Sequence, residues 1–236
     1  MAAILRYAIY YAPAPGSALD RFGAGLLGYD AYTGSEPAFP DGVVQMAPDW
    51  RDLTQDPRKY GFHATLKAPF SLASDQTEVA LVAACEAFAG TPRPIPIIET
   101  VVDSISGFIA VVPGKPSAEL ELLAAECTRD FDPFRAPLTS EDRERRNPSK
   151  LTPRQRERLE RWGYPYVMED FRFHMTLTGR LPDQRREPIL AMLRHRFSAI
   201  GLDTLAIDRL ALFCQDNPQA RFRIVKHWRL RGISTP

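Results

Sequence analysis

Cysteine is scarce in this chain of 236 residues, which contains only Cys85, Cys127 and Cys214. Their odd number and wide spacing argue against a disulfide framework and against the paired spacing of zinc sites. Each lies in apolar sequence, so we expect three buried free thiols. This pattern fits a reducing compartment, and we expect the protein to be cytoplasmic.

Long apolar runs are also missing, because no stretch approaches the roughly 20 residues that a membrane helix needs. The opening "MAAILRYAIYYAPAP" lacks the basic start of a signal peptide and carries Arg6 and three tyrosines where an apolar segment would lie. We therefore interpret the opening as a β-strand. We expect a soluble protein with no membrane partner.

Neither sign of charge dominates, since 30 Lys and Arg residues stand against 29 Asp and Glu residues. The two halves differ, however: residues 1–104 hold 7 basic and 12 acidic side chains, and residues 105–236 hold 23 and 17. Such a split either directs an anionic ligand to the C-terminal half or reflects two solvated surfaces of different composition. It assigns no function by itself.

The remaining composition is typical of a globular protein, with 44% hydrophobic residues, 25% charged residues and 21 prolines. The two halves of the chain repeat one order of predicted elements: strand, helix, long excursion, a strand containing Phe-His-x-Thr-Leu, helix and closing strands. We therefore predict an α+β fold in one bilobal domain, residues 1–236, built by internal duplication. Two antiparallel sheets flanked by helices would surround a central groove, with lobe 1 covering about residues 1–104 and lobe 2 about residues 105–236.

Caps and hydrophobic periodicity predict the bounds of these elements. In chain order they are a helix over residues 17–27, a motif strand over 61–68, a helix over 75–88, strands over 95–103 and 107–113, a helix from Ser117, a second motif strand over 171–181, a helix over 183–199 and strands over 205–214 and 221–230.

A charged insertion, residues 132–170, interrupts the second half. Between Glu141 and Arg161 it holds eight basic and five acidic residues, and Thr152 starts a helix that Gly163 ends. A surface helix of this kind is either a lid over a phosphate site or a solvated insertion without a functional role.

The motif Phe-His-x-Thr-Leu occurs at residues 62–66 and again at residues 173–177. Side chains two apart share one face of a strand, so His63, Thr65 and Lys67 are expected to lie together. The same rule places five polar side chains on one face of the second motif strand: Arg172, His174, Thr176, Thr178 and Arg180. Phenylalanine and leucine occupy the other face of each strand, and their burial sets the register.

Two lobes that pack with approximate twofold symmetry about these strands would bring His63 and His174 face to face across a groove. Histidine titrates nearest to neutral pH, so a neutral ring can take a proton from a nucleophile while a charged ring protonates a leaving oxygen. The threonine hydroxyls can then bind phosphoryl oxygens, and Lys67, Arg172 or Arg180 can offset their charge. Phosphodiester cleavage needs these parts.

Other uses of these residues have less support. A single His-x-Thr element is weak evidence for catalysis, but two matched copies are much stronger, and a metal site lacks a third ligand at zinc-like spacing. His195 and His227 have no threonine partner and are interpreted as ordinary surface histidines. The glycines of "GAGLLG" lie in a predicted helix rather than after a strand, unlike those of a nucleotide-binding loop. We expect no cofactor and no metal.

Tyrosines lie close to the motif strands in the sequence. Tyr7 and Tyr11 share one face of the first strand, with Tyr10 on the other, and they are assigned either to the core or to stacking against a base. Tyr60 precedes the first motif strand and is a candidate for the mouth of the groove.

The elements "HATL" and "HMTL", one in each half, resemble the signature of the two-histidine (2H) phosphoesterase superfamily, which is His-x-Thr or His-x-Ser followed by an apolar residue, twice. The phrases "PRKYGFHATLKAPF" and "FRFHMTLTGRL", with the opening "RYAIYYAP", resemble its subfamily associated with phosphonate-utilisation operons. The resemblance spans nearly the whole chain. It implies a bilobal fold, metal-independent cleavage of cyclic or 2′,5′ phosphodiesters, and catalytic positions at His63, Thr65, His174 and Thr176.

The sequence thus predicts a metal-independent phosphoesterase that cleaves a cyclic phosphodiester, either a 2′,3′-cyclic nucleotide or a ribose cyclic phosphate. The subfamily association favours the ribose compound. Candidate substrate-binding residues are Lys67, Thr178, Arg172, Arg180 and Tyr60. The alternative is a binding module that holds a terminal phosphate of RNA or of a nucleotide without cleaving it. A role in RNA ligation or tRNA processing calls for a longer basic surface than the scattered arginines provide. The oligomeric state and the identity of the acid among the two histidines stay open.

Overall fold

The computed structural model describes residues 5–233, and residues 1–4 of the predicted opening strand lie outside the described residues. The strands of this part of the chain are β1 (Arg6–Tyr11), β2 (Ala64–Phe70), β3 (Ile97–Ile105), β4 (Phe108–Pro113), β5 (Met175–Thr176), β6 (Thr204–Ala206), β7 (Arg209–Gln215) and β8 (Arg223–Arg229). The α-helices are α1 (Ala18–Leu27), α2 (Val43–Met46), α3 (Trp50–Leu53), α4 (Gln55–Arg58), α5 (Glu78–Gly90), α6 (Ala118–Asp130), α7 (Ser140–Arg145), α8 (Pro153–Trp162) and α9 (Asp183–Ser198). Single 3-10 turns cover Asp132–Phe134, Pro148–Lys150 and Met168–Asp170.

One antiparallel sheet contains all of these strands, in the order β6-β3-β4-β5-β2-β1-β7-β8. The predicted α+β class, with antiparallel strands flanked by helices, is confirmed. The two sheets expected from the sequence are the two halves of this single sheet. They join at its centre, where β2 pairs with β5 through Ala64 and Met175.

The halves of the sheet do not coincide with the halves of the chain. Strands β7 and β8, from the C-terminal end, extend the half that β1 and β2 begin, while β3 to β6 form the other half. The lobe boundary expected near residue 104 falls inside β3, which pairs with β4 as a hairpin. Residue 104 therefore does not separate the strands of one half of the sheet from the strands of the other half.

The strand predicted over residues 205–214 is divided, which is a correction. Ile207 and Asp208 alone separate β6, at one edge of the sheet, from β7, near the other edge. Three residue steps span at most about 11 Å between Cα atoms. The sheet must therefore curl so that its β6 edge returns toward β7.

The two faces of the sheet are covered differently. Along β1, Tyr7, Ile9 and Tyr11 belong to the large core, which includes the buried faces of α5, α6 and α9. Tyr10 lies on the opposite face, in a smaller aromatic cluster with Phe213 and Phe222. The core interpretation of Tyr7 and Tyr11 is thus confirmed, and the face that carries Tyr10 is left for the functional site.

Several predicted helix ends are confirmed by their caps. The Ser17 side chain accepts a hydrogen bond from the Asp20 amide, and Gly28 ends α1 with a φ of 63°. Thr152 caps α8, and Gly163 ends that helix. The helix predicted from residue 75 begins later, at Glu78, because the hydroxyl of Thr77 provides the cap.

Both motif strands differ from their predicted bounds. β2 begins after His63, and the second strand shrinks from the predicted residues 171–181 to two residues, Met175–Thr176. After Thr176 the backbone no longer follows the regular antiparallel hydrogen-bond pattern, because the amides of Leu177 and Thr178 both donate to the Ile109 carbonyl. Each catalytic candidate histidine therefore stands immediately before a strand rather than within one.

All three cysteines are free and buried, as predicted. Among residues 5–233, no helix combines the length and the hydrophobicity required to cross a bilayer.

Candidate active site

The centre of the site is the strand pair Ala64 and Met175, whose side chains are completely buried in the large core. In an antiparallel pair the neighbours of these two residues point to the opposite face. The register places His63 opposite Thr176 and Thr65 opposite His174, related by a local twofold axis. The two histidines are then diagonal neighbours, whose Cα atoms lie about 7–8 Å apart in a regular sheet. The structure thus brings together all four residues of the repeated motif.

The two imidazole rings are held in the same way. Nδ1 of His63 lies 2.9 Å from the Gly61 carbonyl oxygen, and Nδ1 of His174 lies 2.7 Å from the Arg172 carbonyl oxygen. A carbonyl oxygen only accepts, so each Nδ1 carries a hydrogen and donates it. In the neutral ring, Nε2 is then the unprotonated nitrogen, free to act as a base or to be protonated as an acid.

His63 is enclosed by aromatic rings. The ring of Tyr10 stacks on it with centroids 3.8 Å apart, and Phe213 and Tyr60 lie at 5.9 and 6.0 Å. This burial lowers the pKa of His63 to about 4, against the opposing effect of the Gly61 hydrogen bond. A positive charge on His174 adds to the lowering, as expected for two rings on one face of a strand pair.

His174 has a similar but separate environment. Its ring centroid is 5.5 Å from that of Phe108, and burial lowers its pKa, opposed by the hydrogen bond to the Arg172 carbonyl. Both imidazoles are therefore neutral at pH 7 in the free site. A histidine that is charged at pH 7 therefore needs an anion bound beside it.

A cleft of about 400 Å³ opens beside the strand pair. Its polar lining includes Thr65, His174, Arg172 and Arg180, so two of the predicted substrate-binding residues lie in it. His63 and Thr176 are outside its lining and adjoin it across the strand pair. The cleft has the size of a small-molecule site.

The charged insertion supplies one wall of this cleft. Tyr164, Tyr166 and Asp170 line it, and the Asp170 carboxylate accepts from Arg158 at 2.7 Å. Arg158 also donates to the Val167 carbonyl at 2.7 Å, which fixes the segment behind the wall. The insertion therefore forms part of the cleft wall, and whether it moves as a lid stays a prediction.

Lys67 is placed away from the cleft, which corrects its expected role in substrate binding. Pairing with β1 shifts by one residue between Thr65 and Lys67, so the simple alternation is broken at that point. The Lys67 side chain is only 4% exposed and donates to the Asp132 carboxylate at 3.0 Å and to the Thr128 carbonyl at 3.1 Å. Lys67 is thus bonded to residues at the end of α6, on the helix side of the sheet.

Thr178 and Tyr60 also have structural partners. The buried Thr178 hydroxyl donates to the Gly179 carbonyl at 2.8 Å and accepts from the Ile109 amide at 3.1 Å. Tyr60 stacks on Phe222 at 5.2 Å and does not line the cleft. Thr178 therefore shapes the backbone beside the second motif strand, and Tyr60 belongs to the aromatic group around His63.

Tyr10 is the residue near His63 that sequence reasoning did not assign to the site. Period-two alternation did separate Tyr10 from Tyr7 and Tyr11, but alternation does not tell which face carries the site. His195 and His227 are exposed, as predicted. Within residues 5–233, no three His, Cys, Asp or Glu side chains are grouped as a metal ion would require.

Comparison with known proteins gives one family and two close relatives. The model of a family described as a protein of unknown function (DUF1045) matches residues 65–223. Proteins named ribose 1,5-bisphosphate phosphokinase PhnN are 36% identical over 227 residues, in Janthinobacterium sp. (strain Marseille), and 32% identical over 232 residues, in Laribacter hongkongensis (strain HLHK9). These matches cover 92% and 98% of this chain but 49% and 53% of the relatives, so the chain spans about half of their length.

Among solved structures, the fold is similar to that of E. coli LigT complexed with ATP, with 12% sequence identity and a TM-score of 0.43. The alignment covers 98% of this chain and 99% of LigT. A conserved protein of unknown function from Agrobacterium tumefaciens str. C58 matches with 12% identity and a TM-score of 0.46, over 94% of this chain and 85% of that protein.

Proposed function

This chain belongs to the DUF1045 family, and we propose that it is a phosphoesterase that cleaves a cyclic phosphodiester between His63 and His174. The observation that carries the proposal is the Ala64 and Met175 strand pair, which sets both His-x-Thr elements on one face of the sheet. Each histidine has Nε2 available because its Nδ1 is bonded to the backbone carbonyl two residues before it.

In this mechanism, His63 is the general base. Its low pKa keeps the ring neutral, so Nε2 accepts a proton from the attacking water as the new P–O bond forms. The Tyr10 ring holds the imidazole in place during the transfer. Positioning of this kind removes part of the entropic barrier of bringing water and phosphorus together.

His174 is the general acid. The phosphodiester monoanion bound in the cleft raises the pKa of the ring, so His174 takes up a proton with the substrate. Nε2 of His174 then gives that proton to the leaving oxygen as the P–O bond of the cyclic phosphate breaks. The product is a phosphomonoester, His63 is left protonated, and proton exchange with solvent restores the starting state.

Four polar side chains support the phosphoryl group in this scheme. The Thr65 and Thr176 hydroxyls bind its non-bridging oxygens, and the Thr65 hydroxyl is only loosely engaged, at 3.4 Å from His63 Nε2. Arg172 and Arg180 line the cleft and offset the negative charge that the transition state concentrates there. No step passes through Lys67 or Thr178.

A ribose cyclic phosphate is the favoured substrate class. The relatives carry a name that refers to a phosphorylated ribose, and the motif phrases resemble those of a phosphonate-associated subfamily. The kinase part of that name is not carried over, because this chain spans about half of the relatives' length and residues 5–233 include no glycine-rich phosphate loop between a strand and a helix. A 2′,3′-cyclic nucleotide is the competing substrate.

A screen tests the proposal. Purified protein is incubated, with EDTA present, with ribose 1,2-cyclic phosphate, 2′,3′-cyclic nucleotides and 2′,5′-linked dinucleotides, and the products are followed by phosphorus NMR. We expect ring opening of a cyclic phosphate to a monoester, with the metal chelated and with strong loss in His63→Ala. Binding of these compounds without any turnover would instead support the phosphate-binding module, and cleavage that EDTA abolishes would overturn the metal-free scheme.

A further inference from the structure

A second cleft, about 230 Å³ in volume, lies where the start of β1 meets the charged insertion. Four of its lining residues are arginines: Arg6, Arg135, Arg145 and Arg146. Asp142 is the only carboxylate among the lining residues within the described chain. We call this group the arginine cleft. Its excess of positive charge requires an explanation, because the protein as a whole is nearly neutral.

Two of these arginines have no acidic partner in residues 5–233. Arg6 donates to the amide oxygen of Gln215 at 3.3 Å, and Arg146 lies over the ring of Tyr164, 4.9 Å from its centroid. Arg135 differs, because it is bonded to Asp132 at 2.9 Å. Arg145 is the most exposed member and pairs with Glu141 at 3.2 Å and with Asp142 at 3.7 Å.

The unpartnered guanidinium groups repel one another. Burial lowers the pKa of Arg6, and the positive charges of Arg145 and Arg146 add to that lowering. Like charges that converge in a partly buried cleft cost free energy unless an anion offsets them. A guanidinium also presents a planar fork of donors that matches the oxygens of a phosphate group.

The arginine cleft is connected to the histidine pair through β1 and through Tyr164. Arg6 and Tyr10 lie on one face of β1, four residues or about 13 Å apart along the strand, and Tyr10 stacks on His63. Tyr164 lines the 400 Å³ cleft, and the Arg146 guanidinium lies over its ring. Tyr164 therefore links the two clefts, because it lines one of them and contacts an arginine of the other.

We propose that Arg6 and Arg146, with Arg145 at the rim, form a second anion site that binds a phosphomonoester group. The dianion accepts from both unpartnered guanidinium groups, and it is distinct from the phosphodiester held at the histidines. Its source is either a second phosphate of the substrate or a separate phosphomonoester. The second-phosphate case rests on the proposed function, whereas binding of the anion itself does not.

Binding is tested without turnover. Inorganic phosphate is titrated into the His174→Ala protein and into the same protein carrying Arg6→Gln and Arg146→Gln, by calorimetry and phosphorus NMR at fixed salt. We expect affinity to fall about tenfold or more when two charge-assisted contacts are lost. The matched control carries Arg129→Gln and Arg231→Gln, which remove two exposed arginines outside both clefts and should change affinity less than twofold, or about 0.4 kcal/mol.

Equal phosphate affinity in the cleft variant and the control variant overturns the proposal, even if cyclic phosphates are cleaved. If the double variant does not fold, Arg146→Gln alone decides, since this side chain makes no hydrogen bond in the described part of the chain. The two proposals can also fail separately. If phosphate binding depends on Arg6 and Arg146 but the wild-type protein cleaves none of the cyclic phosphates, the anion site is supported and the proposed function is contradicted.

Kinetics distinguish the two sources of the phosphate. A ribose cyclic phosphate is compared with the same compound carrying a further phosphate. If the arginine cleft holds the substrate's own phosphate, the double variant Arg6→Gln, Arg146→Gln raises the KM of the doubly phosphorylated compound. That increase should be about tenfold larger than the increase for the compound without the further phosphate. If it holds a separate phosphomonoester, added inorganic phosphate changes the wild-type kinetics, and this response weakens in the variant.

Discussion

The ring of Tyr10 stacks on the imidazole of His63, with centroids 3.8 Å apart and planes inclined by 22°. Tyr10 is 1% exposed and lies on the first strand, whereas His63 immediately precedes the second. The stack removes one face of the imidazole from water, and desolvation of this kind disfavours the charged ring. Tyr10 thus contributes to the burial that keeps a candidate catalytic base neutral.

Stability should depend on pH through His63. Its pKa falls from 6.5 to about 4 on folding, so the unfolded chain takes up this proton first as the pH is lowered. The contribution of the neutral ring is complete above about pH 6.5 and is lost as the pH falls to about 4. Urea unfolding at several pH values should show a weaker dependence in this window for His63→Gln than for wild type. The control, His195→Gln, alters an exposed ring and should keep the wild-type slope; parallel slopes for all three proteins contradict the assignment.

The histidines should contribute to catalysis as a unit. We expect His63→Ala and His174→Ala each to lower kcat about 10²- to 10⁴-fold, because each loses one proton-transfer group. The double variant should lose far less than the product of the two effects, since one partner has little use without the other. Single-turnover rates on the best cyclic phosphate measure this. Full activity of His174→Ala on every cleavable compound would falsify the paired scheme.

Activity should be greatest in mildly acidic solution. The free protein needs His63 neutral, which holds above about pH 4, and His174 charged, which holds below a pKa that burial has lowered from 6.5. Because kcat/KM reports the groups of the free enzyme, its pH profile should be a bell with its maximum between these limits. An initial-rate series from pH 3 to 8 at constant ionic strength, a range of about one pH unit or more beyond each limit, checks this. A maximum above pH 7 contradicts the assignment of His63 as base and His174 as acid.

The local parts of this site could be read from the sequence. Two copies of Phe-His-x-Thr-Leu identified four residues that the strand pair brings together, because alternation fixes which side chains share a face. The caps at Ser17 and Thr152 were also readable, since a cap depends on only a few neighbouring residues.

What the sequence did not reveal depends on contacts between distant segments. The one-residue shift that turns Lys67 toward the helices arises from pairing with β1, and the break between β6 and β7 arises because those strands join opposite ends of the sheet. Tyr10 could not be assigned to the site without knowing which face of β1 the helices cover. Arg6 and Arg146 are 140 residues apart, and neither belongs to a recognisable sequence motif.

Lys67 and Asp132 should show unequal effects on stability. Lys67→Met leaves the Asp132 carboxylate paired with Arg135 at 2.9 Å, so we expect a loss of about 1–3 kcal/mol. Asp132→Ala leaves the buried Lys67 ammonium with the Thr128 carbonyl as its one hydrogen-bond acceptor among residues 5–233 and should cost about 3–5 kcal/mol. The free energy of unfolding in urea measures both.

The double variant of this pair provides the control. Adding Lys67→Met to Asp132→Ala removes the stranded charge and should recover part of the lost stability. Equal losses in the two single variants, or no recovery in the double, contradict the description of Lys67 as a buried structural cation. A large rise in KM for Lys67→Met without loss of stability would return Lys67 to the substrate site.

Gly163 and Gly201 give a matched pair for testing how tightly the insertion is held against the sheet. Both have a left-handed backbone, with φ of 73° and 63°, so alanine at either should cost about 1–2 kcal/mol. A Cβ at Gly163 would also lie 2.7 Å from Cδ of Arg135, whereas one at Gly201 meets nothing within 4 Å. Because Arg135 bonds both Asp132 and the Arg161 carbonyl, its displacement loosens the cleft wall, and Gly163→Ala should cost about 1–3 kcal/mol more than Gly201→Ala.

Gly163→Ala should also raise KM, because Tyr164 is the next residue and lines the cleft. The contrary result is that the two variants have equal free energies of unfolding and an unchanged KM. In that case Arg135 can move without destabilising the cleft wall, and the wall is not held through this contact.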